Sequence, residues 1–251
     1  LTMNKLILSL ILSVLFFAQT GFEIAKMVDD RLQPEDISST ATMVLTNSKG
    51  KTRTSVMRLK SIDGNKKRII WFLEPKDDKG VAFLKIEHES QENEIRMWLP
   101  AFKKVRRIAS TKKGDSFMGS DLSYEDLTNR NLNENNYEHL KNEIVNGHNC
   151  YVLKIRPKPK VRSNYSHHVN WIIKDSLVPF KEESYDKRGE LKKVKSFVFE
   201  KIQDYYVIKE ISVKDVQRNH TTNIKFDHIQ VDTGIDEKLF HEKNLKRLPR
   251  N

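Results

Sequence analysis

The run Ile69-Ile70-Trp71-Phe72-Leu73 constrains the fold of this chain more than any other stretch. Five large apolar residues in a row, lying between Asp63-Gly64-Asn65 and Pro75, read as a short strand and not as a helix. Successive strand side chains point to opposite faces, so Trp71 and Phe72 both need apolar cover. A sheet with one wet face would alternate cleanly instead. Either helices cover the second face as ordinary core, or that face borders a lipid-sized cavity.

Elsewhere the chain alternates with period two. Thr40–Thr46 reads as a strand, Asn47-Ser48-Lys49-Gly50 as its turn and Thr52–Lys60 as the return. Lys67–Leu73, Val81–Glu87 and a strand ending at Pro100 follow. After a polar insert spanning Arg106–Asn136, the theme resumes with Tyr137–Ile144, Asn146-Gly147 and Asn149–Arg156. His167–Ile173, Leu191–Phe199, Tyr205–Val216 and Thr221–Val231 complete about a dozen strands, the pattern of an antiparallel meander. Helices are expected at Glu23–Leu32, stopped by Pro34, in the Asp121 insert, and near the end behind an Asp236 cap.

The N-terminus differs from this. Lys5 precedes the apolar run Leu6–Ala18, too short for a comfortable membrane span and suited to a signal peptide. Residues 1–21 are read as that signal and 22–251 as one soluble domain. Cys150 is the only cysteine, so no disulfide forms within the chain; it reads as core filler in an apolar strand. The formal net charge of +11 either attracts anions such as lipid headgroups, with export arguing against nucleic acid, or merely keeps the chain in solution.

The stretch from Met97 to Leu127 holds the candidate chemistry. Met97-Trp98-Leu99-Pro100 ends a strand, Arg106-Arg107 follows, and then comes Phe117-Met118-Gly119-Ser120-Asp121-Leu122-Ser123-Tyr124-Glu125-Asp126-Leu127. A serine, three carboxylates and two arginines allow two readings. One is a catalytic or anion site; the other is a capped helix docked on the sheet, with Arg106 or Arg107 pairing Asp121, Glu125 or Asp126. No G-x-S-x-G elbow surrounds Ser120. Nucleotide loops and H-E-x-x-H are absent, and His167-His168 face opposite ways on a strand and cannot share a metal. No catalytic residue, metal or cofactor is assigned.

These blocks resemble the outer-membrane lipoprotein-sorting proteins, relatives of the periplasmic lipoprotein carrier LolA. The resemblance runs from Glu23-Ile24-Ala25 to Leu239-Phe240. It implies a mainly β fold: a strongly curved antiparallel sheet, an incomplete and half-open β-barrel, with helices covering its concave face. It also implies a monomeric periplasmic carrier for a lipid or a lipoprotein acyl chain. An inner-membrane RND or MMPL exporter and an outer-membrane acceptor would be its partners. The alternative is an envelope sensor contacting a membrane regulator; a hydrolase using Ser120 is a third reading. Trp71, Met97, Leu99, Trp171, Phe117 and Met118 are expected to line the apolar cavity. Arg106, Arg107, Asp121, Tyr124 and Asp126 are expected at its rim. N-terminal sequencing of the exported protein is expected to begin between Gln19 and Glu23; an intact Met3 or Lys5 would refute the signal assignment.

Overall fold

In a computed structural model, which describes residues 19–89 and 91–248, the chain forms one helix and thirteen strands among the described residues. The helix is α1 (Gly21–Asp29). The first six strands are β1 (Asp36–Thr46), β2 (Thr52–Ile62), β3 (Lys67–Glu74), β4 (Ala82–Ile86), β5 (Glu94–Leu99) and β6 (Lys104–Arg107). The remaining seven are β7 (Asn135–Val145), β8 (His148–Pro157), β9 (His167–Ile173), β10 (Pro179–Tyr185), β11 (Leu191–Ile202), β12 (Tyr205–Asp215) and β13 (His220–Val231). All belong to one antiparallel sheet in the order β6-β5-β4-β3-β2-β1-β13-β12-β11-β10-β9-β8-β7.

That order is a meander opened at an unusual place. The first and last strands pair with each other inside the sheet, Ala41 opposite Phe226 and Met43 opposite Ile224. The two free edges, β6 and β7, are consecutive in sequence. The connection between them, residues 108–134, therefore has to travel from one edge of the sheet to the other. We call it the strap.

The strap shows how strongly the sheet bends. The Asn129 backbone N–H donates to Glu87 Oε1 at 2.7 Å, just beyond β4. The next residue, Arg130, donates to Glu182 Oε1 in β10 at 2.8 Å. Seven strand spacings separate β4 from β10, about 34 Å across a flat sheet. Adjacent residues lie only about 3.8 Å apart, so the two limbs must curl toward each other around the strap. Register shifts interrupt six of the twelve strand pairs, and such bulges are where strands bend. The sheet does not close into a barrel.

Three apolar cores result. On the inner face, Met43, Met57, Ile70, Phe72, Phe83, Ile95 and Met97 pack against Phe117, Leu122 and Tyr124 of the strap. On the outer face, Ile69, Trp71 and Leu84 are covered by Phe240 and Leu245 of the C-terminal segment. The two faces of Ile69–Leu73 are thus both covered, one by the strap and one by the chain's end. The third core seats Ile24 and Ala25 of α1 on Leu153, Ile155 and Ile172.

α1 starts two residues before the expected Glu23 and stops three before Leu32. Thr20 caps it: Glu23 N–H donates to Thr20 Oγ1, and Thr20 N–H donates to Glu23 Oε2 at 2.8 Å. Gly21 has to be glycine, because a Cβ there would lie 2.6 Å from the Tyr137 backbone carbon of β7. The expected signal peptide lies outside the described residues, save for Gln19, Thr20 and Gly21. Asp236 does cap a single 3₁₀ turn, Glu237–Leu239, near the end. The helix expected in the Asp121 insert is absent; the described strap holds only turns and the 3₁₀ turns Ser110–Lys112 and Leu132–Glu134. The hydrogen bonds there close turns instead: Asp126 accepts from the Ser123 N–H, while Asp121 bonds across to Thr222 and Glu125 to Asn164.

Phe117 is the strap's apolar anchor, buried with its ring centroid 5.2 Å from Phe83 and 5.9 Å from Phe72. Phe117→Ala is expected to destabilise the protein by about 3–5 kcal/mol. Urea unfolding followed by tryptophan fluorescence would measure it.

Candidate functional site

The strap enters the sheet through a tight hairpin. Phe117 N–H donates to Leu122 O and Ser120 N–H to Phe117 O, with Met118 at φ 50° and Gly119 at φ 79°. Two consecutive positive φ angles make a type I′ turn, which glycine at the second position relieves. Ser120 is buried and its Oγ donates to Phe117 O at 2.6 Å. Its hydroxyl is held within the turn.

Two carboxylates then lock the strap to the far strands. Asp121 is buried, and its N–H donates to Thr222 Oγ1 at 2.8 Å while Thr222 Oγ1 donates back to Oδ2 at 2.7 Å. Arg218 Nη2 donates to its Oδ1 at 2.9 Å, and His220 Nδ1 lies 2.7 Å from Oδ2. Asp126 makes the larger cluster. Lys193 Nζ, Tyr165 Oη and Ser123 Oγ donate to its Oδ2 at 2.8, 2.9 and 2.7 Å, and Lys195 Nζ donates to its Oδ1. Lys195 Nζ also donates to Glu182 Oε1 at 2.9 Å. Arg130 grips Glu182 in bidentate fashion, with Nη1–Oε2 2.5 Å and Nη2–Oε1 2.8 Å, and its Nη2 lies 3.3 Å from His168 Nδ1.

Two buried lysines, two buried carboxylates and the partly exposed Arg130 therefore share one cluster. Burial alone would raise the Asp126 pKa, but the Lys195 and Lys193 ammonium groups outweigh it and hold the carboxyl far below its usual range. Glu182 behaves alike, with burial opposed by Arg130 and Lys195. Burial and the Arg130 charge keep His168 well below the ordinary histidine value, so its ring is neutral.

Beside this cluster lies a half-open cavity of about 720 Å³, bordered by α1, the strap and strands of both limbs. Its wall is mostly apolar: Val28, Leu59, Leu127, Leu153, Ile172, Phe197, Ile211 and Phe226 contribute. Arg31, Arg68, Asn65 and Asn170 also face it. Among the described residues four buried side-chain polar atoms have no hydrogen-bond partner, and three of them, Arg31 Nε, Asn65 Oδ1 and Asn170 Oδ1, belong to this wall. Buried polar groups are almost always partnered, so three such atoms on one wall set this space apart. Arg68 carries its charge under strain of burial, which pushes its pKa down to about 10. A second, polar cleft of about 980 Å³ lies across the strap, lined by Lys158, Arg162 and Tyr165 among others. Asp126, Thr128, Asn129 and Arg130 border both spaces and separate them.

The residues singled out from sequence are divided among these places. Met97, Phe117 and Tyr124 are buried beneath the strap, with Leu99 and Met118 packed at its margin, so they fill that half of the inner face and leave no space there. Trp71 lies on the opposite face against the C-terminal segment, because it is one residue out of phase with Phe72. Trp171 is likewise out of phase with Ile172; its Nε1 donates to Glu143 at 2.7 Å and Lys181 covers its ring. Neither tryptophan lines the cavity. Arg106 and Arg107 sit exposed on edge strand β6, and Arg107 faces Glu92 at 3.4 Å. The partners of Asp121 and Asp126 are instead Arg218, Lys193 and Lys195, some seventy to a hundred residues away.

A family model described as "Uncharacterized protein" matches residues 64–247. Among solved structures, a domain assigned to outer membrane lipoprotein sorting, from Vibrio parahaemolyticus, is 33% identical with TM-score 0.86 over 90% of this chain and 98% of its own. A DUF1329 family protein from Desulfovibrio piger is 31% identical with TM-score 0.85, covering 90% and 97%. A LolA superfamily protein from Nitrosomonas europaea shares the fold at 17% identity, with TM-score 0.72 over 90% and 99%. No curated protein matches the chain.

Asp126→Asn would leave the buried Lys193 without its anion and Lys195 with Glu182 alone, and is expected to cost about 3–5 kcal/mol. Asp126→Asn combined with Lys193→Met is expected to cost less than the sum of the two, read from denaturant midpoints. The acid response follows from the same cluster. A neutral buried histidine stabilises the fold above its unfolded pKa, about 6.5, and that stability is lost as pH falls further. The depressed carboxylates add a second loss below about pH 4. Unfolding midpoints measured across this range should therefore fall in two stages, and His168→Gln should flatten the upper one.

Proposed function

Since the chain belongs to the family of these outer membrane lipoprotein-sorting and DUF1329 proteins, we propose that it is a periplasmic carrier that shelters the acyl chain of a lipid or lipoprotein in the 720 Å³ cavity. The observation that carries the proposal is the composition of that wall: apolar over most of its area, with the unpartnered atoms of Arg31, Asn65 and Asn170 in it. Such a surface suits an amphiphile, whose chain takes the apolar wall and whose head takes the polar atoms. Burying a chain is worth about 0.8 kcal/mol per methylene, enough to draw it from a membrane only into a matched space. Arg31 and Arg68 give the head a cationic side, so an anionic headgroup is the better fit.

In this reading the protein carries its ligand and does not transform it. Ser120 and the acidic cluster serve the strap's attachment. Export removes the segment ahead of α1, and the capping box of Thr20 and Glu23 favours a cut before Thr20. An RND- or MMPL-type exporter would supply the ligand and an outer-membrane acceptor would take it, with the carrier a monomer between them.

Native mass spectrometry of protein purified from its own envelope is expected to show an acyl-bearing molecule, released by mild organic solvent. Val28→Trp, which fills the cavity from α1, should abolish that cargo while the unfolding midpoint holds. Cargo-free protein that also fails to bind a fluorescent fatty acid, or full cargo in Val28→Trp, would overturn the carrier reading.

A further inference from the structure

Because the sheet is an antiparallel meander, its turns alternate between two ends, and the ends differ in charge. The connections at one end, 47–51, 75–81, 100–103, 158–166, 186–190 and 216–219, hold eleven Lys and Arg against four Asp and Glu. Those at the other, 30–35, 63–66, 87–93, 146–147, 174–178, 203–204 and 232–236, hold three against ten. Every one of the eleven basic side chains is exposed. Of the four acids, Asp78 is buried on Arg53, and Asp186 and Glu190 are engaged by Arg188. The turns at the two ends thus carry opposite net charge, +7 against −7, and polarise the molecule from end to end.

One connection at that end carries an exposed aromatic residue. Phe102, between β5 and β6, is 70% exposed and is followed by Lys103 and Lys104, both exposed and without an ion pair among the described residues. The neighbouring connection supports it, since Gly80 is packed against Pro100. Solvated aromatics are costly to leave in water, and one ringed by lysines matches the boundary between headgroups and acyl chains.

We propose that the basic end, with Phe102 as its inserting side chain, docks on the surface of an anionic phospholipid bilayer. Charge draws the protein to the surface and orients it, since the acidic end is repelled. Phe102 then enters the interface. A nucleic acid would meet the same charge but gives the phenylalanine no partner of its own, so the bilayer is the occupant the surface fits. The proposal does not depend on what the cavity holds.

The test is vesicle co-sedimentation of the cargo-free full protein, using phosphatidylcholine with and without phosphatidylglycerol. Binding is expected only to the anionic vesicles and should be suppressed by high salt. Lys103→Gln and Lys49→Gln should each weaken it about fivefold, and Phe102→Ser should weaken it at low and high salt alike. Ile144, 71% exposed at the acidic end, gives the control: Ile144→Ser should leave binding unchanged. All four positions are exposed, so matched unfolding midpoints would confirm that folding is intact. Absence of binding, equal binding to neutral vesicles, or an Ile144→Ser loss as large as that of Phe102→Ser would overturn the proposal. So would retention on duplex DNA that matches vesicle binding and ignores Phe102→Ser.

Discussion

Two lysines and two carboxylates withdrawn from water, joined by a partly exposed arginine, hold the two limbs of this sheet in their relative positions. Asp126 and Arg130 come from the strap, Lys193 and Lys195 from β11, and Glu182 from β10. Desolvating four charges is expensive, and a purely apolar contact of the same size could stabilise the fold as well. What an apolar contact lacks is direction. Each charge here has a partner at hydrogen-bond distance, so a strap shifted by one residue would strand a buried ion. The cluster fixes where the strap crosses, and the crossing fixes which part of the inner face is filled and which is left open.

That division explains why the cavity lies where it does. Near β1–β5, Phe117, Leu122 and Tyr124 are buried against the inner face and form its core. Toward β8–β12 the strap turns polar, running Thr128, Asn129, Arg130 and Asn131, and has little bulk to offer the apolar strands beneath. α1 covers this side from a distance, resting on β7 and β8 through Ile24 and Ala25. The strand residues Phe197, Ile211 and Phe226 face this space, with Ile211 and Phe226 packed at the edge of the inner core. The space results from the change in strap composition at residue 128.

Period-two alternation and turn chemistry carried most of the sheet, and the Asn-Gly turn and the Asp236 cap lie where the residues indicate. Facing was harder. Trp71 and Trp171 were singled out for bulk, yet each is one residue out of phase with the inward set, and bulk carries no information about phase. Lys193 and Lys195 were overlooked for the complementary reason. They alternate in phase with Phe197 and Phe199 on β11, and that phase, not their charge, says they point inward. The partners of Asp126 lie about seventy residues downstream. No local pattern ties a strap carboxylate to those lysines, whereas Arg106 and Arg107 were near in sequence and far in space. Separation along the chain hid the organising interaction.

The pairing of β1 with β13 has a consequence for how the molecule comes to be folded. Each wing, β1 to β6 and β7 to β13, consists of neighbouring hairpins whose partners are close along the chain, so each can form quickly on its own. The seam between β1 and β13 joins Thr46 to Thr221 and cannot form until nearly the whole chain is available. Loop-closure entropy must be met at that seam and again at the strap. A chain that reaches its compartment N-terminus first would therefore wait as a half-sheet, with the unpaired edge of β1 exposed to neighbouring molecules. The order of arrival makes that edge the natural place for a folding helper to hold, or for aggregation to begin.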